Sequence, residues 1–90
     1  MPYHRFENEL RVRARSLLAA GALACEPPLR VWGGYGSGLP CSLCSELINR
    51  DDIEYEIAQH ADGQLRVSHF HFECHAAWQV ECLREAAGTQ

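Results

Sequence analysis

Apolar positions along the chain follow two different periods. Phe6, Leu10, Ala14, Leu17 and Leu18 recur at helical spacing and predict an amphipathic first helix with arginines on its other faces. Glu7 stands four residues before Arg11 and Glu9 four before Arg13, the favourable order for helix-supporting ion pairs. Gly21 is the expected residue just past the helix end, and Pro27-Pro28 prevents further extension. The period then changes. Ile53, Tyr55 and Ile57 alternate with Asp52, Glu54 and Glu56, predicting a strand with one buried and one acidic face. Asp62-Gly63 is a hairpin-turn signal, and Leu65, Val67 and His69 form the returning strand. Ala76, Ala77, Trp78, Val80 and Leu83 restore helical spacing to about Ala87.

Two stretches admit competing readings. Ser16 to Ala24 is a short apolar run after several arginines, and Ala22-Leu23-Ala24 has the small-x-small form of an export-signal cleavage site. Glu7 and Glu9 make more sense as helix partners than as part of a signal's basic leader, so the helix is the preferred reading. Between the periodic regions, Leu29 to Trp32 is a short extended segment leading into the glycine-rich stretch Gly33 to Pro40. It lacks the lysine and the strand-to-helix setting of a phosphate loop. The glycines are expected to serve positive φ or close backbone approach, with Trp32 or Tyr35 folded against the core. The alternative leaves these two aromatics exposed as anchors for a partner.

Ninety residues make one small domain with little margin over chain entropy, so a staple is expected. Five cysteines fit a fully paired disulfide framework poorly. All eight basic residues are arginines, and net charge is −4. Residues 41–90 hold three arginines against nine acids, a balance of −6 that disfavours phosphate binding by this half. No stretch is long enough to span a bilayer as a helix, and the expected compartment is the cytoplasm.

The staple is legible in the spacing. Cys41-Ser42-Leu43-Cys44 has the CxxC interval that points two thiolates at one ion, and His71-Phe72-Glu73-Cys74 supplies a second pair at a helix start. Zinc is the expected metal for such a donor set. His75 or His69 could stand in for His71, although the HxxC interval favours His71. Cys82 lies eight helical residues past Cys74, about 12 Å along the axis, and is expected to be a small buried apolar residue. Cys25 has no evident partner.

The succession of CxxC, hairpin and helix resembles a treble-clef zinc finger over residues 41 to about 86. The resemblance implies an α+β fold and assigns metal-ligand roles to Cys41, Cys44, His71 and Cys74. It departs at Ser45, where many such knuckles have glycine. The fragment CSLCSELI…DIEYEI…LRVSHFHFECHAAW also resembles a small bacterial zinc-binding family that brings no activity with it.

The chain is therefore expected to be a small zinc-stapled α+β domain: a helical segment over 1–26, a glycine-rich connector over 27–40, and a treble-clef-like unit over 41–90. Four protein ligands leave a zinc ion no open position, so the site is expected to be structural and the chain not an enzyme. Its expected role is a protein-interaction or regulatory accessory module, with a homodimer among the possible assemblies. An alternative is nucleic-acid binding through Arg5, Arg11, Arg13 and Arg15 of the first helix, and third comes a metal-dependent hydrolase or nuclease.

Overall fold

The computed structural model describes residues 7–88. Phe6 and Arg5, assigned above to the first helix, lie outside the described residues. The order of elements is α1 (Glu7–Ala19), β1 (Arg30–Tyr35), β2 (Ile53–Ala61), β3 (Gln64–His71) and α2 (Phe72–Gly88). The three strands form one antiparallel sheet in the order β1-β2-β3. The chain is thus α+β, as expected, and the extended segment read at 29–32 becomes an edge strand, Arg30–Tyr35, that runs on through two glycines.

α1 ends where its chemistry predicts. Gly21 takes φ 78°, its amide donates to Leu18 O and the Ala22 amide donates to Leu17 O, which together close the helix C-terminus with a left-handed glycine. Leu10 and Ala14 are buried and Leu17 and Leu18 pack partly against the core. The partners of Arg11 and Arg13 are not Glu7 and Glu9. Arg11 Nε lies 2.8 Å and Arg15 Nη1 3.1 Å from the Glu81 carboxylate on α2, while Arg13 turns to the segment after β1. Glu81 is 1% exposed. Burial pushes its carboxyl up, but Arg11, Arg15 and Arg84 outweigh that and hold it below its ordinary value. The helix pair α1–α2 is therefore joined by a buried charge cluster as well as by apolar contact.

β2 and β3 are joined by Asp62-Gly63, both with positive φ, the geometry of a two-residue turn matched to strand twist. Tyr55, Ile57 and Phe70 face α2, where Phe70 stacks on Trp78 at 5.4 Å and His75 on Tyr55 at 4.5 Å. The segment between α1 and β1 is fastened to this core. Gln59 Nε2 donates to Ala24 O and Glu26 O, Trp78 Nε1 donates to Ala24 O, and Cys25 is disulfide-bonded to Cys82. That bond corrects the expectation for both cysteines. Cys82 is not merely an apolar filler, and Cys25 has a partner 57 residues away in the sequence.

The glycine-rich stretch also departs from expectation. Arg30 to Tyr35 pair with Ala58 to Ile53 as an edge strand, so the first two glycines are strand residues. Trp32 is 59% and Tyr35 80% exposed, so the expectation that either folds against the core is not met. Close approach is real at one position: a Cβ on Gly36 would lie 1.8 Å from Asn49 O. The Gly36 amide donates to Asp52 O and the Gly38 amide to Ile48 O, which lays this loop on the backbone after the CxxC turn. Gly38 also takes φ 86°.

Two outcomes follow from this packing. Gly36→Ala should lower unfolding free energy by about 2–3 kcal/mol, because backbone rather than a flexible side chain must give way; Gly34→Ala, where a Cβ meets nothing within 4 Å, should be near neutral in the same urea titration. Glu81→Gln should cost about 1–3 kcal/mol near pH 7, the range being reduced because both arginines are partly exposed. The folded-state value of Glu81 lies below its unfolded value, so its contribution is complete above an unfolded carboxyl's titration near about 4.3 and is lost as pH falls through the lower folded value. The stability difference between wild type and Glu81→Gln should therefore shrink as the pH is lowered below about 4.

Candidate metal centre

Cys41 and Cys44 sit on a tight turn built by main-chain bonds. The Cys41 amide donates to Glu46 O and the Ile48 amide to Leu39 O, pairing the segments that enter and leave the turn, with a bridge between Pro40 and Leu47. The Ser45 amide closes back onto Cys41 O at 3.0 Å. This closure requires Ser45 to adopt φ 70°, the conformation for which glycine is usual. The non-glycine residue noted in the sequence has thus not relaxed the turn. Arg13 of α1 braces it from outside, donating through Nε to Leu43 O and through Nη2 to Ser45 Oγ.

The turn is docked on the sheet at one end of β3. Ser42 N donates to His69 O at 2.7 Å, and the His69 amide donates to Ser42 Oγ at 3.0 Å. This two-way bond sets the CxxC pair beside the junction of β3 and α2. There His71, the last strand residue, and Cys74, in the first helical turn, project toward it. The second pair therefore spans a strand end and a helix start rather than lying wholly within the helix.

The ligand atoms of Cys41, Cys44, His71 and Cys74 all lie within 4.8 Å of one another. His71 Nδ1 is 3.4 Å from Cys44 Sγ and 3.9 Å from Cys74 Sγ. Its other nitrogen, Nε2, is 3.2 Å from Leu47 O and 3.7 Å from Asp52 Oδ2. A proton on Nε2 donated to Leu47 O leaves the Nδ1 lone pair on the side of Cys44 and Cys74, the outer contact that fixes a ligating imidazole. Cys41, His71 and Cys74 are buried and Cys44 is half-buried.

Three thiols this close cannot all ionise unaided. A hydrogen bond from Cys74 holds Cys41 down to about 4, against the opposing push of burial. The same bond, seen from Cys74, raises that thiol far above its ordinary value, and burial raises Cys44. The cluster can thus carry one thiolate easily and resists the second and third. A cation at its centre supplies the charge that lets all three bind as thiolates.

The other histidines are engaged elsewhere. His69 Nδ1 is 2.6 Å from Glu54 Oε2, and His75 stacks among Tyr55, Phe70 and Trp78, where burial lowers its basicity. Glu54, expected on an exposed acidic face, is buried instead. Burial alone would raise its carboxyl, but the Ser37 amide at 2.8 Å and His69 together hold it below its usual value. The strand alternation gave no sign of this, because it records side-chain direction and not what a later loop lays over the face.

A comparison with family models, curated proteins and solved structures found no match. The group of three cysteines and one histidine, close enough to hold a metal ion, is what the geometry itself establishes.

Because Ser45 is held in the left-handed region, Ser45→Val should destabilise the protein by about 1–2 kcal/mol, the cost of a β-branched residue there. Ser45→Gly should stay within about 0.5 kcal/mol of wild type, since relief of φ offsets the added chain entropy and the lost contact from Arg13. Thermal unfolding of the two variants side by side reads the contrast.

Proposed function

We propose that the chain is a small zinc-stapled, treble-clef-like module whose Cys3His site is structural and whose work is protein interaction. The observation that carries the metal reading is the orientation of His71, with Nε2 on the Leu47 carbonyl and Nδ1 beside the sulfurs of Cys44 and Cys74. The donor set suits zinc, which favours thiolate and imidazole in a four-coordinate shell. Cys41, Cys44, His71 and Cys74 would fill that shell and leave no position for water or substrate, which supports a binding role over hydrolysis. The interaction reading is supported by Trp32 and Tyr35, large aromatics exposed beside glycines on an edge strand. No observation favours the nucleic-acid alternative: Arg11 and Arg15 meet Glu81, and Arg13 meets the CxxC turn.

Among the described residues no helix is long and apolar enough to cross a membrane. The cytoplasm remains the proposed compartment, and it has a chemical consequence. Cytoplasmic thiol systems keep most cysteines reduced, so a Cys25–Cys82 disulfide retained in the natural protein would count against that compartment.

Thiol alkylation followed by mass spectrometry tests these statements together. In the metal-loaded protein Cys41, Cys44 and Cys74 should resist modification until a chelator is added, whereas Cys25 and Cys82 report the redox state directly. His71→Ala should lose bound zinc and cooperative folding together, since the metal contribution of about 10–16 kcal/mol in small zinc domains rivals a domain's whole stability. His75→Phe should keep its zinc. Rapid alkylation of Cys41 and Cys44 without chelator, or zinc retained in His71→Ala, would contradict the proposal.

A further inference from the structure

We infer that β1 is the docking edge for a second copy of this chain, pairing antiparallel about Gly33 to continue the sheet from three strands to six. The inference deepens the interaction reading above by naming the partner. The Gly36 amide donates to Asp52 O in register with the β1–β2 pairing, so by strand alternation residues 34 and 32 also turn their main-chain groups toward β2. The amides and carbonyls of Val31, Gly33 and Tyr35 then point away from the sheet. Among the described residues nothing covers them, and all six residues of β1 are exposed. β1 carries no proline or lysine, two of the usual protections against strand addition, and although the Leu29 amide donates to the O of Ala58, the residue paired with Arg30, Val31 to Tyr35 stay in register with β2.

The edge is complementary to itself. Two-fold pairing centred on Gly33 sets Val31 opposite Tyr35 of the second copy, joining outward-pointing main-chain groups on both sides. The same register sets Trp32 opposite Gly34 of the second copy. Gly34 has no side chain, and a Cβ there would meet nothing within 4 Å. Beside it lies a cavity of about 220 Å³ lined by Trp32, Gly34, Tyr35, Ser37, Glu54 and Glu56. An indole from the second copy would cover this glycine, as cross-strand aromatics do for edge glycines. On the opposite face Val31, 50% exposed, would meet Tyr35, 80% exposed. Arg30 falls opposite Gly36, so no like charges are brought face to face across the new pair.

Each copy contributes one short strand and a few side chains, so the interface belongs to the small class, below about 1,200 Å², that forms reversibly. The dimer should therefore depend on concentration. Sedimentation of the metal-loaded protein should show the mean mass rising from one chain toward two between about 10 µM and 1 mM, a weak-affinity range. Amide exchange supplies the register. Protection of the Val31, Gly33 and Tyr35 amides should rise with concentration, while the Trp32 and Gly34 amides, bonded to β2, stay protected throughout. Gly33→Pro removes an outward donor without touching the β2 ladder and should abolish the rise in mass. If that variant fails to bind metal or fold, the exchange pattern of the wild type still decides. A single-chain mass through 1 mM overturns the inference, as does a dimer in which those three amides stay unprotected. Protection of the same amides only on adding a foreign extended peptide also overturns it, and would assign the edge to another protein. None of these outcomes depends on which metal fills the Cys3His site, so this inference and the zinc reading fail separately.

Discussion

Convergence of the CxxC turn on the junction between β3 and α2 is the constraint from which the rest of the structure follows. Cys41 and Cys44 come from a loop, His71 from a strand end and Cys74 from a helix start, and their ligand atoms share a space under 4.8 Å across. Holding them there requires the loop to be bonded to β3 through Ser42 and His69 and to turn through Ser45. Leu43, Ile48, Phe70 and Cys74 bury around the same point, so the apolar core and the candidate metal centre are one region. In a chain of 90 residues, apolar burial alone leaves little margin, and a metal held at this candidate centre would help keep so small a sheet in order.

α1 depends on that centre at one remove. Arg13 braces the turn that carries Cys41 and Cys44, and Arg11 and Arg15 bind Glu81 on α2. Among the described residues, the helix arginines Arg11, Arg13 and Arg15 are accordingly engaged within the protein itself. A charge left buried without these partners would be expensive, which makes the orientation of α1 on α2 specific as well as favourable. β1, with Trp32 and Tyr35 exposed, lies at the opposite side of β2 from β3.

Much of this was legible in residue order because it depends on local spacing. Helical periodicity found both helices, Asp62-Gly63 found the turn, and the CxxC and HxxC intervals found the four residues that come together. What the sequence did not reveal depends on distance in space. Cys25 and Cys82 meet only because Gln59 and Trp78 hold residues 24–26 against α2. The extended segment at 29–32 was visible, but its continuation to Tyr35 was not, because Gly33 and Gly34 weaken any strand signal and the pairing comes from β2. Glu54 reads as a surface acid and Glu81 carries no signal of its own, yet each is buried by partners from another element: Ser37 and His69 for one, Arg11 and Arg15 for the other. The three candidate histidines near the site differ by their second contacts, a property no spacing encodes.

The proposed zinc staple makes a specific statement about atoms around a metal, and X-ray absorption at the zinc edge of the natural protein tests it most directly. The account predicts one zinc per chain, with three sulfur neighbours at about 2.3 Å and one nitrogen at about 2.0 Å. A shell containing oxygen, fewer than three sulfurs, or no bound zinc would contradict it.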